Sequence, residues 1–179
     1  MRYLALLRGI NVGGNRRMKM EELRSALRTI GLADPATVLQ SGNVIFDSDR
    51  AEPKTLAAQI ENAIELTFGF RGEVIMRLGS EVDRLVSNHP FTEAQLEHPK
   101  MAHVMFLKEA PDPGGFRELR AAHDGVEEIT LEGSELYLFY PEGSGHSRLS
   151  GANIEKALGT RGTARNWNTV LRIAEVIAD

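Results

Sequence analysis

The chain has no cysteine, which excludes disulfides and thiolate metal sites and fits a reducing compartment. It has no apolar stretch near the roughly 20 residues that a membrane helix needs. Its N-terminal apolar run, Tyr3–Leu7, is too brief for a signal peptide. The five histidines (His89, His98, His103, His123, His146) lack the clustered or i,i+4 spacing of metal ligands. No Ser-His-Asp arrangement can be built from sequence position, and no cofactor motif stands out. Broad basic charge is also missing. A net charge of −4 and a pI near 5.8 argue against an extended nucleic-acid surface. Aromatics are sparse at 6% and form no RNP-type run. Only Tyr3, Phe46, Phe106, Tyr137 and Phe139 stand where a sheet could offer them to bases. These absences lead to the expectation of a cytoplasmic protein with no metal and no membrane partner.

What the chain does contain is material for a core. Hydrophobic residues make up 42% of its 179 positions, enough for one large domain or two small ones. Charge is unevenly placed. Residues 1–30 carry seven Lys and Arg against two Asp and Glu, and residues 145–172 carry five against one, so the remainder is strongly acidic. Each basic island holds a glycine-rich segment: Arg8-Gly9-Ile10-Asn11-Val12-Gly13-Gly14-Asn15-Arg16-Arg17 in the first, and Tyr140-Pro141-Glu142-Gly143-Ser144-Gly145-His146-Ser147-Arg148 at the edge of the second. Backbone N–H groups beside guanidinium groups bind anions. The plainer account is that short windows fluctuate in charge and that helix C-termini favour basic residues.

Hydrophobic periodicity orders the chain. Tyr3 to Arg8 reads as a strand, and Met20, Leu23, Leu27 and Ile30 mark a helix over about 19–30. Two strands, 37–40 and 43–46, meet at Ser41-Gly42; Leu56, Ile60 and Ile64 mark a second helix, and 72–78 is a fourth strand. Ser80 is the expected cap of a short helix to about Ser87. The polar stretch 92–100 reads as a linker. The order then restarts: a strand at 101–107, a helix after Pro111-Asp112-Pro113-Gly114-Gly115, a hairpin around Gly133-Ser134, a helix capped by Ser150, a short strand at 163–165 and a final helix over 168–177. Glu22-Leu23-Arg24 and Glu118-Leu119-Arg120 fall at equivalent places. The expected fold is therefore α+β: two tandem ferredoxin-like βαββαβ units with antiparallel sheets and an extra C-terminal helix. The expected boundaries are 1–90 for the first unit, 91–100 for the linker, and 101–179 for the second unit with the C-terminal helix.

That topology makes a geometric prediction. In a split β-α-β unit the first two strands run parallel, with the third antiparallel between them. The Arg8–Arg17 loop should then lie beside Gln40-Ser41-Gly42-Asn43. In the second unit, Gly143–Arg148 should share an end with Arg165-Asn166-Trp167-Asn168. Four polar motifs become two clusters, which would face one cleft in the right packing of the repeats.

The motifs vary in specificity. Gly9 and Gly14 have the glycine spacing of a P-loop, but Asn15 and Arg16 follow where Lys and then Ser or Thr are required. No G-x-G-x-x-G follows the first strand either, so a dinucleotide fold is unsupported. The N–H groups of Val12 to Asn15 remain as an anion nest or as an ordinary tight turn. Gln40-Ser41-Gly42-Asn43 alone is ordinary turn chemistry. In the second segment Ser147 or Ser150 caps the next helix or presents a hydroxyl. His146 has no evident nucleophile or carboxylate beside it. Trp167 stacks on a ligand or packs in the core while Asn166 or Asn168 caps the last helix.

Four stretches carry a resemblance: Ala5 to Gly14, Gln40 to Phe46, Tyr140 to Gly145 and Arg165 to Thr169. In these the chain resembles the bacterial family catalogued as domain of unknown function 1697. The resemblance implies an α+β fold and no assigned reaction. Members often carry Lys after the glycine motif and in the Ser-Lys pair, where this chain has Asn15 and Arg148; positive charge moves to Arg16 and Arg17. A mechanism built on lysine is weakened accordingly. The expected ligand-binding set is Arg8, Gly9, Asn11, Gly13, Gly14, Arg17, Gln40, Ser41, Asn43, Tyr140, Gly143, Gly145, Ser147, Arg148, Arg165, Asn166 and Trp167. The expected partner is a small anionic molecule, a nucleotide or phosphorylated metabolite, with phosphoryl or acyl transfer as the chemistry if a reaction follows. The competing functions are a single-stranded nucleic-acid binding module, which the acidic pI disfavours, and a protein-interaction or regulatory module.

Overall fold

Strand β1 (Arg2–Arg8) organises the first half of the chain because both its faces are apolar. Tyr3, Ala5 and Leu7 join the helix-side core, and Leu4 and Leu6, on the opposite face, are equally buried. In the computed structural model, which describes residues 1–11, 16–49 and 52–179, the chain divides into two compact units. Residues Met1–Ser87 with Arg172–Asp179 form one, and Asn88–Leu171 form the other. The expected amide nest from Val12 to Asn15, and Gly13 and Gly14 with it, lies outside the described residues.

In the first unit β1 is followed by α1 (Met20–Thr29), β2 (Ala33–Val38), β3 (Asn43–Asp47), α2 (Pro53–Phe68), β4 (Glu73–Leu78) and α3 (Gly79–Ser87). The sheet order is β2-β3-β1-β4, antiparallel throughout. Helix α1 buries Met20, Leu23, Ala26 and Leu27 on one face, and α2 buries Leu56, Ile60, Ala63 and Ile64, the spacing of an apolar helical stripe. Pro53 opens α2, where its missing N–H costs no helical bond. Strand β2 starts four residues earlier than its apolar pattern predicts. A register shift between Ala33 and Ala36 accommodates Asp34-Pro35, with Asp34 at φ +40°, and a β-bulge of this kind hides the period-2 signal. Helix α3 begins at Gly79 with Ser80 inside its first turn, and Glu81 rather than Ser80 accepts the Leu78 N–H at 2.7 Å.

The second unit repeats the plan with β5 (Ala102–Leu107), α5 (Pro113–Ala122), β6 (Glu128–Glu132), β7 (Glu135–Phe139), α6 (Gly151–Leu158) and β8 (Gly162–Asn166), in sheet order β6-β7-β5-β8. The fold is α+β with two ferredoxin-like sheets, and a C-terminal helix, α7 (Trp167–Ala178), closes the chain. Two boundaries differ from those read in the sequence. The stretch expected as a linker belongs to the second unit. It contains α4 (Glu93–Leu96), held by a reciprocal Thr92–Gln95 capping box, and its Phe91 ring packs edge-on against Tyr137 and Trp167. Its polar composition concealed two buried anchors, Phe91 and Gln95. The end of α7, from Arg172, belongs to the first unit rather than the second, where Ile177 lies against Gly79.

Candidate functional site

The antiparallel order brings the first pair of motifs together. Leu6 lies opposite Asn43 in the register, and the Leu7 N–H donates to the Gly42 carbonyl at 2.8 Å. The Gln40-Ser41-Gly42-Asn43 tip therefore sits beside the loop that leaves β1. Asn11 ties the two. Its side-chain amide donates to the Gln40 carbonyl at 2.8 Å and the Met18 carbonyl at 3.0 Å, and its Oδ1 accepts the Met18 N–H at 2.8 Å. Asn11 holds φ +53°, a conformation that asparagine tolerates better than most residues. Asn43 is fully buried, donating to the Val38 carbonyl and to Ser41 Oγ, each at 2.9 Å. Both amides thus build the loop from inside.

The cations of this cluster fall into different settings. Arg8 faces Glu73 across the β1–β4 register, with an ion pair of 3.9 Å. The Arg16 guanidinium lies over the Phe70 ring, 5.9 Å from its centroid, and Gly9 lies beside Arg16. Arg17 is exposed and has no ion-pair partner among the described residues. It borders a cleft of about 620 Å³ with Asn11, Met18, Lys19, Glu22 and Gln40. A second cleft of about 520 Å³ shares Lys19 and Gln40 and continues along Met20, Glu21, Arg24, Thr37 and Leu39. Lys19 pairs with Glu22 at 3.2 Å, and Arg24 donates to Thr37 Oγ1 at 2.6 Å. The clefts open at the start of α1, whose N-cap residue, Lys19, makes no side-chain cap.

The second pair of motifs also shares a sheet end. Ala102 is opposite Phe139 and His103 is opposite Asn166. Most of the polar groups here are again engaged within the unit. Tyr140 is buried and donates its hydroxyl to the Leu149 carbonyl at 3.0 Å; burial, with Glu127 nearby, pushes its pKa up to about 12. Arg165 is buried and donates to Thr163 Oγ1 at 2.7 Å and the Ala164 carbonyl at 2.8 Å, and burial lowers its pKa to about 10. Asn166 caps α7 by accepting the Thr169 N–H and hydroxyl, each at 3.0 Å. Trp167 is buried, edge-on to His89 and Phe91, as a core aromatic. Gly143 turns the chain at φ +83°, and Gly145 has open space around it. Arg148 is exposed; its carbonyl accepts from Asn153 at 2.8 Å.

Sequence position offers Ser147 as a helix cap or a presented hydroxyl, and the structure gives it a carboxylate partner. Its hydroxyl donates to Glu127, its Oγ accepts the Leu149 N–H at 3.0 Å, and Glu127 lies 3.3 Å from His123 Nε2. The Ser147 hydrogen bond is the main cause of a lowered Glu127 pKa. Twenty residues of chain separate Ser147 from Glu127, so no local motif announces the contact. The i,i+4 spacing of His123 and Glu127 is visible in the sequence, and Gly125 between them leaves room for both side chains.

Of the five aromatics weighed as a base-stacking surface, Tyr3, Phe46, Phe106 and Tyr137 are buried and only Phe139 is half-exposed. No helix among the described residues is long and apolar enough to cross a membrane.

No curated protein matches the sequence. The solved structure of a conserved bacterial protein from Streptococcus pneumoniae aligns with 99% of this chain and 98% of its own, with a TM-score of 0.78 at 20% sequence identity. That likeness shows a shared fold over both units. Residues 1–137, from the first glycine motif through most of β7, match one family along three quarters of the chain. The chain belongs to that family, described as protein of unknown function (DUF1697).

Proposed function

We propose that the first unit binds a small anionic ligand, a nucleotide or phosphorylated metabolite, in the paired clefts at the start of α1. The observation that carries this reading is Arg17: an exposed guanidinium, without an ion-pair partner among the described residues, on the wall of a cleft of about 620 Å³. That volume lies within the usual range for small-molecule sites. Lys19 adds a second cation, and the first-turn N–H groups of α1 add donors and the positive end of the helix dipole. Glu22 pairs with Lys19 and offsets its charge, so Arg17 is the uncompensated cation of this cleft among the described residues. Such a site would hold a phosphate by charge-assisted hydrogen bonds. Any reaction there would proceed by positioning and charge stabilisation.

The buried aromatics weigh against the nucleic-acid alternative, because stacking on a sheet needs them exposed. Arg8, which pairs with Glu73, has a supporting role in this proposal.

The test is a thermal-shift screen with inorganic phosphate, pyrophosphate, nucleotides and sugar phosphates, followed by calorimetric titration of any hit. The expected result is stabilisation by at least one phosphate compound. Arg17→Ala should bind that compound about tenfold more weakly, the scale of one charged hydrogen bond. No stabilisation by any compound, or unchanged affinity in Arg17→Ala, would overturn the proposal.

A further inference from the structure

The residue at the tip of the β2–β3 hairpin is the least explained by the fold. Leu39 is 56% exposed and holds its backbone at φ +59°. Either feature alone is ordinary. Leu66 is 88% exposed on α2, and single apolar residues on a surface need no reason. Asn11, Asp34, Gly42 and Arg16 also adopt positive φ; asparagine, aspartate and glycine do so readily, and Arg16 lays its guanidinium over the Phe70 ring. Leu39 combines a backbone conformation that disfavours leucine with a side chain left more than half exposed. Glycine or asparagine would satisfy the turn better. Strain of this kind persists where something other than the turn requires the side chain.

The surroundings indicate what that is. Leu39 lines the second cleft with Met20, Thr37 and Arg24, and the Arg24 guanidinium is held by its hydrogen bond to Thr37 Oγ1 at 2.6 Å. This cleft shares Lys19 and Gln40 with the one bordered by Arg17. One of these adjoining clefts thus holds the exposed Arg17 beside the Lys19–Glu22 pair. The other offers, beside Lys19 and Glu21, an apolar side chain and a guanidinium held by Thr37, two groups that pack on the face of a flat ring. A sugar phosphate would leave that cleft unused.

We infer that the anion bound by the first unit is a nucleoside phosphate, its phosphate at Arg17 and Lys19 and its base against Leu39, which acts as the residue selecting for the base. This rests on the anion-binding reading of the same clefts. Gln40, shared by both clefts, lies where the ribose would cross.

The experiment titrates adenosine monophosphate, ribose 5-phosphate and inorganic phosphate by calorimetry into wild-type protein and into Leu39→Gly and Leu39→Asn. Both variants suit the left-handed conformation, so their thermal midpoints should not fall. Wild type should prefer adenosine monophosphate to ribose 5-phosphate by about tenfold, the scale of one apolar contact in a binding site. Both variants should lose most of that preference while binding ribose 5-phosphate and phosphate as before. Equal wild-type affinities for the two esters, or a preference kept in both variants, would overturn the assignment to Leu39 while leaving anion binding intact. If none of the three compounds binds while another phosphate compound stabilises the protein, this inference fails and the anion-binding reading stands; if no phosphate compound stabilises it, both fail.

Discussion

Gly42 is the point where the hairpin tip touches the loop that leaves β1, and its replacement by alanine tests whether that contact holds the site together. The Gly42 carbonyl accepts the Leu7 N–H at 2.8 Å, and the residue sits at φ +73°. A Cβ there would lie 2.6 Å from Ile10 Cδ1 and 2.8 Å from Leu7 Cβ. Ile10 can move its terminal methyl; Leu7 Cβ is fixed by the register of β1. Two costs are therefore expected. The left-handed conformation costs about 1 kcal/mol for alanine, and overpacking a buried contact adds about 1–3 kcal/mol. Gly31 separates them. It has φ +84° and nothing within 4 Å of an added Cβ, so Gly31→Ala carries the conformational cost alone.

Urea denaturation of both variants, compared with wild type, reads the difference. Gly42→Ala should be destabilised by at least about 1 kcal/mol more than Gly31→Ala. Relief of the clash would also move Gln40 away from Asn11, so Gly42→Ala should weaken any phosphate ligand that Gly31→Ala still binds. Equal losses of stability in the two variants would refute the close approach of hairpin and loop.

Asn11→Asp would turn a carboxylate toward the carbonyls of Met18 and Gln40, replacing two donated hydrogen bonds with repulsion. It should cost about 1–3 kcal/mol in urea denaturation, and a neutral result would refute the tethering role. The Glu127 carboxyl is held below its usual pKa, chiefly by the Ser147 hydroxyl. A depressed folded-state pKa contributes stability that is complete above the unfolded carboxyl's value and is lost as pH falls through the folded value. Wild type should therefore lose stability relative to Glu127→Gln as the pH is lowered from about 5 to 3, and parallel urea midpoints over that range would sink the assignment.

Much of this architecture was legible because its signals are local or topological. Leu56, Ile60 and Ile64 mark α2 by spacing, Gly133-Ser134 marks the β6–β7 turn, and Ser150 caps α6 by accepting the Asn153 N–H at 3.3 Å. The meeting of the Arg8 loop with Gln40–Asn43 follows from strand order alone. What escaped is non-local. Nothing near Asn11 or Asn43 in the sequence says that their amides would be spent on the carbonyls of Gln40, Met18 and Val38. Arg165 looked like a ligand's cation because charge is visible in sequence and burial is not. Phe91 and Gln95 sit in a polar stretch whose average concealed them. The place of a polar motif in the fold can therefore be legible while the burial of its side chains is not.

That division bears on the proposed anion site, because the two repeats differ at their helix starts. Helices α1 and α5 hold equivalent places in the two sheets and follow equivalent first strands. At α5 the N-cap is Asp112, whose carboxylate accepts the Gly114 N–H at 2.7 Å, so an internal anion already occupies the helix start. At α1 the corresponding position is Lys19, which makes no side-chain cap and stands beside the exposed Arg17 on the cleft wall. The second repeat has its own glycine segment, but Arg165 is buried there and Ser147 is bonded to Glu127. Shared topology thus supplies two similar frames, and the residue at each helix start sets them apart. An aspartate caps the α5 end, whereas the α1 end has basic residues and no side-chain cap, with Glu21 and Glu22 in its first turn; the proposed anion site rests on that difference at the cap.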